Sequence, residues 1–96
     1  MKLFEIQNNF PTVTAECLMI SPYKEIWERD KSKDKSKAYG ELQYIYFSSD
    51  FKSLYLAFDK ATREERLVDD FIKIKNWKPD QLVLQGMKKY EEFQNT

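Results

Sequence analysis

The sequence contains no histidine, one cysteine and only two glycines among its 96 residues. Without histidine, Ser-His-Asp and Cys-His nucleophiles, His-ligated zinc and the usual neutral-pH proton shuttle are all excluded. The lone Cys17 excludes an internal disulfide and a thiolate cluster within one chain, and it fits a reducing compartment. Gly40 and Gly86 stand far apart on helix-like segments, whereas a phosphate-cradling loop needs several glycines in one short turn. No apolar run approaches the ~20 residues of a membrane span. The start, MKLFEIQNNF, lacks the apolar stretch and small-residue cleavage site of a signal peptide. Sixteen Lys and Arg balance sixteen Asp and Glu, so no net field recruits nucleic acid or an anionic membrane.

The carboxylates do not fill the gap. Lysines occupy the positions between Asp30 and Asp34 where a calcium loop would place oxygen ligands. The doublets Glu64–Glu65, Asp69–Asp70 and Glu91–Glu92 point about 100° apart on a helix, so they do not converge as an acid–base pair must. They read as solvated helix faces. The expectation is a protein that is not an enzyme and has no catalytic residue, metal or cofactor.

What is present is a globular composition, 42% hydrophobic, 16% aromatic and 33% charged, at the size of one domain spanning residues 1–96. Residues 1–13 read as an extended arm or short strand, with Asn8-Asn9 and Pro11 breaking any regular element. Thr14 caps one or two helical turns through Ile20, and Ser21-Pro22 opens a helix with serine as cap and proline at its first position. Tyr23, Ile26 and Trp27 form that helix's apolar stripe.

Ala38, Leu42, Ile45 and Ser49 recur at helical spacing, and Tyr39, Tyr44, Tyr46 and Phe47 widen the stripe to most of the circumference. Gln43 to Phe47 alone would also suit a strand, but the longer period decides for a helix at the centre of the domain. Residues 50–61 form an aromatic connection expected to fold back on the core. Thr62-Arg-Glu-Glu65 reads as a capping box opening a helix with Leu67, Val68, Phe71, Ile72 and Ile74 inward. Trp77 lies in a turn, and a last helix presents Val83, Gly86, Met87, Tyr90 and Phe93 on one face. The predicted class is all-α, four to five short helices with an extended N-terminal arm.

Two features remain for function. Between Arg29 and Lys37 five cations face two carboxylates with no apolar residue among them, so Lys31, Lys33, Lys35 and Lys37 face solvent or a polar partner. No aromatic interleaves them for base stacking, and Asp30 and Asp34 are spaced to neutralise part of the patch. A protein partner with an acidic surface is therefore preferred to nucleic acid. Seven Phe, six Tyr and two Trp exceed what so small a core encloses, so aromatics such as Tyr39, Tyr46, Phe51, Tyr55 and Phe58 are the candidates for partner binding.

The string from Ile26 through Trp27-Glu-Arg-Asp-Lys-Ser-Lys-Asp-Lys-Ser-Lys to Ala38 carries a family resemblance. Tyr44-Ile-Tyr-Phe47 with Asp50, Arg63-Glu-Glu-Arg66 and Trp77-Lys-Pro-Asp80 extend it. Together, from about Leu18 to Tyr90, they resemble small virion structural proteins of crAss-like and related tailed bacteriophages of Bacteroidetes, with Leu54 standing where that pattern has proline. The resemblance implies a non-enzymatic virion protein assembled in the host cytoplasm: an auxiliary or minor capsid protein bound to the major capsid protein, or a neck subunit of the head–tail junction. A small inhibitor of a host enzyme and a DNA-binding module using the lysine run are the readings from other classes.

Overall fold

Helix α2, Ser36–Ser49, runs through the middle of the molecule, and the other three helices pack against it in a computed structural model. The structure describes residues 3–7 and 10–94; the Asn8-Asn9 pair expected to break regular structure lies outside the described residues. Around α2 lie α1 (Tyr23–Arg29), α3 (Lys60–Leu67) and α4 (Gln81–Gln94). Single 3-10 turns at Cys17–Met19 and Leu54–Ala57 complete the connections. The central position expected for α2 follows from its sequence: Ala38, Leu42, Tyr44 and Ile45 are all buried, and Gly40, Glu41, Ser48 and Ser49 widen the covered arc to more than half of the helix.

The all-α expectation holds for the helices and fails at the N-terminus. The expected extended arm is a two-stranded antiparallel sheet, β1 (Phe4–Gln7) against β2 (Phe10–Val13), with Phe4 opposite Val13 and Ile6 opposite Pro11. Phe4 holds the hairpin on the helices, its ring 5.2 Å from Tyr46 and 5.6 Å from Tyr90. Thr14 donates its N–H to Leu3 O at 3.0 Å, so residues 3 and 14 form a hydrogen-bonded pair, and antiparallel alternation makes 6 and 11 a non-bonded one. Pro11 therefore sits in a strand, rather than breaking it, because its missing N–H is not one the ladder needs.

Local chemistry sets the helix ends. Thr14 Oγ1 accepts the Cys17 N–H at 3.1 Å, as its position before the first turn leads one to expect. At α1 the expected roles shift by one: Pro22 is the cap residue, and the Ser21 hydroxyl donates to the Glu25 carboxylate instead of capping. The Thr62–Glu65 capping box is also displaced. Asp59 Oδ1 accepts the Thr62 N–H at 2.8 Å and α3 begins at Lys60. Helix α3 then widens into a π turn over Val68–Ile72 and stops at Lys73, which takes a left-handed φ of 61°. Ile74 consequently lies beyond the helix and is exposed, not inward.

Both glycines mark close approaches between elements. A Cβ on Gly40 of α2 would stand 2.8 Å from the backbone O of Phe71, and one on Gly86 of α4 would stand 2.7 Å from Ile45 Cδ1. Tyr23, fully buried, donates its hydroxyl to Gly86 O at 2.8 Å and so locks α1 to α4 across the core.

Candidate interaction surface

Of the residues grouped by sequence as one partner site, the lysine run with Tyr39 and the surface of Tyr46, Phe51, Tyr55 and Phe58 lie towards opposite ends of α2. Fourteen residues of helix separate them, roughly 20 Å along the axis.

At the N-terminal end, residues 31–34 are exposed and Asp30 is buried. Neither aspartate forms an ion pair with a lysine of the run. Asp30 Oδ2 accepts the Ala38 N–H at 2.8 Å, and its Oδ1 accepts the Ser32 N–H at 2.9 Å and the Ser32 hydroxyl at 2.7 Å. Asp34 Oδ1 accepts the Ser36 N–H at 3.1 Å. Both carboxylates thus serve the free N–H groups at the start of α2 and the positive end of its dipole. The Ser32 hydroxyl, followed by the Ala38 and Ser32 N–H groups, holds the Asp30 carboxyl down at about 2.

Lys35 is committed internally. Its backbone is left-handed at φ 57°, and its ammonium donates to Asp30 O at 2.6 Å and Trp27 O at 3.0 Å while lying 5.4 Å from the Trp27 ring centre. It closes the C-terminal end of α1, where a cation meets free carbonyls. Lys31, Lys33 and Lys37 are exposed and form no ion pair within the described residues. They are the cations of the run available to a partner.

The Asp30 geometry fixes a pH dependence. A carboxyl whose pKa is depressed on folding contributes stability above its unfolded value, near 3.9, and that contribution fades as pH falls towards its folded value. Unfolding temperature should therefore drop between about pH 4 and pH 2. Asp30→Asn, which keeps a capping oxygen, should flatten that drop. Equal slopes for the two proteins in thermal melts across this range would contradict the assignment.

A second polar cluster joins three helices. Arg29 donates to Glu41 Oε2 at 2.9 Å and to Asp80 Oδ2 at 2.7 Å. Glu41 is 3% exposed, burial raises its pKa despite Arg29, and its Oε1 has no hydrogen-bond partner. Asp80 also accepts the Val83 N–H at 3.1 Å, so Arg29 ties the end of α1 to the cap of α4. The cluster is a structural tie, and no group of three or more His, Cys, Asp or Glu side chains among the described residues is placed to hold a metal.

At the other end of α2 the aromatics divide into enclosed and exposed. Phe47 stacks on Phe71 at 4.7 Å, with Tyr55 edge-on to both at 5.3 and 5.9 Å. Tyr46 packs on Phe4 and Phe47, and Phe58 lies under the Arg66 guanidinium at 4.5 Å; Tyr39, back in the first turn of α2, stands edge-on to Trp27 at 5.2 Å and is 37% exposed. These rings are partners of one another, and Tyr46, Tyr55 and Phe58 are half-buried. Phe51 is different at 63% exposed, and so is Leu54 beside it at 87%. Phe51 is among the candidates expected from the sequence; Leu54 is not, and its exposure shows that the 50–61 connection does not fold wholly back on the core.

The segment carrying these two residues is pinned. Phe51 N–H donates to Gln94 Oε1 at 2.9 Å, and Gln94 Nε2 donates to Ser49 O at 2.7 Å. Ser53 Oγ donates to Phe47 O at 2.6 Å and accepts from Tyr55 N–H, while Asp50 accepts the Lys52 N–H at 2.8 Å and the Tyr90 hydroxyl. Beside Phe51 a groove of about 540 Å³ runs between β1 and the C-terminal ends of α2 and α4, bounded by Phe4, Ile6, Tyr46, Phe51, Tyr90 and Phe93. The chain thus presents a hydrogen-bonded apolar prominence at one end and a cluster of exposed lysines at the other. In comparisons with known proteins, no family model, no curated protein and no solved structure matches this chain.

Proposed function

We propose that this is a non-enzymatic structural protein of a tailed-phage particle, an auxiliary or minor capsid protein that docks on the major capsid protein. The observation that carries the docking role is the pinned Asp50–Leu54 segment, which holds Phe51 and Leu54 in solvent with its backbone already bonded. Apolar side chains on a fixed backbone bind at little ordering cost, which is what an assembly contact made many times over requires. The free ammonium groups of Lys31, Lys33 and Lys37 steer the approach to an acidic surface. The virion setting is supported by the motif resemblance between Leu18 and Tyr90.

The test is quantitative mass spectrometry of purified particles from the source phage. Hundreds of copies per particle place the protein on the capsid lattice, about a dozen place it in the neck ring, and absence overturns the virion reading. In particles carrying Phe51→Ser with Leu54→Ser, occupancy should fall at least tenfold while thermal stability changes little, because both residues are exposed. Replacing Lys31, Lys33 and Lys37 by serine should slow docking and weaken its dependence on salt. Undiminished occupancy in both variants would mean the partner binds elsewhere.

A further inference from the structure

The sheet has one blunted edge and one open edge. On β2, Pro11 supplies no N–H to its outer side. On β1 the pairing alternation turns the N–H and C=O groups of Phe4 and Ile6 away from β2. No described residue bonds to them there. Ile6 shares the core-facing side of the strand with Phe4, yet it runs past the core and is 56% exposed, at the mouth of the groove that ends on Phe51. A strand edge with unspent hydrogen bonds, bordered by an uncovered Ile and Phe, is a pairing template.

From this we infer that the occupant of the β1 edge is β1 of a second copy of the chain, paired antiparallel about a two-fold axis to make a four-stranded sheet. Of the two registers that pair at least three residues of β1 through its outward groups, charge selects one. Pairing Phe4 with the second copy's Ile6 would set Glu5 against its own equivalent, a like-charge pair directly opposite. Centring the axis on Ile6 instead sets Ile6 against Ile6 and Glu5 against the uncharged Gln7, with two N–H···O bonds exchanged at the centre. That register continues the apolar face from Phe4 through both Ile6 side chains to the second Phe4. The chain's zero net charge leaves no long-range repulsion between copies. Isologous pairing of this kind is closed, so it stops at the dimer.

Strands of four residues make a small contact, so the dissociation constant should fall at roughly 10–500 µM. Sedimentation of the full chain from about 5 µM to about 1 mM should show the mass rising from 11.6 kDa towards twice that value. Ile6→Pro removes only an outward N–H, as Pro11 does on the other strand, and Ile6→Lys places a charge on the edge. Both should stay folded by circular dichroism and raise the dissociation constant at least tenfold. Amide exchange in the unsubstituted chain reads the same edge without a mutation: protection at Ile6 should grow with protein concentration. A monomer at 1 mM, a dimer untouched by both substitutions, or concentration-independent exchange at Ile6 would overturn the inference. Protection of Ile6 appearing only when particles are added would also overturn it, and would assign the edge to a partner's strand. Because these readings use the isolated chain and Ile6, they stand or fall separately from capsid docking through Phe51 and Leu54.

Discussion

Ile45→Ala should cost about 2–5 kcal/mol, a large part of the stability a domain of this size possesses. Ile45 is fully buried at the crossing of α2 and α4, where its Cδ1 occupies the space beside Gly86. The loss has two parts: the transfer of the removed carbons, and the cavity that the packed helices cannot close. The second part can be refilled. In the unsubstituted chain Gly86→Ala brings its Cβ to 2.7 Å from Ile45 Cδ1 and 3.2 Å from Tyr23 Cε1, so it should destabilise despite alanine's better helix propensity. On the Ile45→Ala background the nearer obstacle is gone, and the same Gly86→Ala should stabilise. Urea melts of the two single variants and the double should therefore show a change of sign at position 86. Additive effects would mean the two sites are not in contact as described.

Gly40→Ala is expected to be the more damaging of the two glycine substitutions. Its Cβ would stand 2.8 Å from a backbone oxygen, that of Phe71, which cannot rotate away as the end of an isoleucine can. Relief requires moving the whole Val68–Ile72 turn off α2, and with it the Phe71 ring stacked on Phe47. A cost of about 1–3 kcal/mol remains after the propensity gain. Near-ultraviolet circular dichroism should change with the displaced aromatics, and no single side-chain truncation nearby should restore it. Stability equal to the parent would show that the π turn is free to shift.

What could be read from the amino acids was whatever depends on neighbours along one helix. The stripe Ala38, Leu42, Ile45, Ser49 is such a pattern, and α2 lies where it indicated. So is the Val83, Gly86, Tyr90 face of α4. Cap positions were legible only to within a few residues, because Asp59 three residues before Thr62 is as good a cap as Thr62 three before Glu65. The choice falls to Asp59 once Arg63 reaches back to the carbonyls of Tyr55 and Phe58 at 3.2 Å, a tie that no local window shows. The hairpin was hidden for a similar reason, since strand pairing and the seating of Phe4 on Tyr46 and Tyr90 are long-range. Tyr39, Tyr46, Phe51, Tyr55 and Phe58 look alike as candidates for a partner surface, but most of these rings are taken up by other rings of the same chain. Phe51, the most exposed of them, has its backbone held by Gln94, forty-three residues away in the chain.

Cys17 has a consequence of a practical kind. It is fully buried, and desolvation pushes its thiol up to about 12, so it cannot be alkylated while the core is closed. As the chain's single sulfhydryl, it reports on one event alone: the separation of the 14–20 turn from the helices behind it. Under excess reagent, the rate at which Cys17 is capped becomes the rate at which the native packing opens, an intrinsic clock for how long the molecule stays whole.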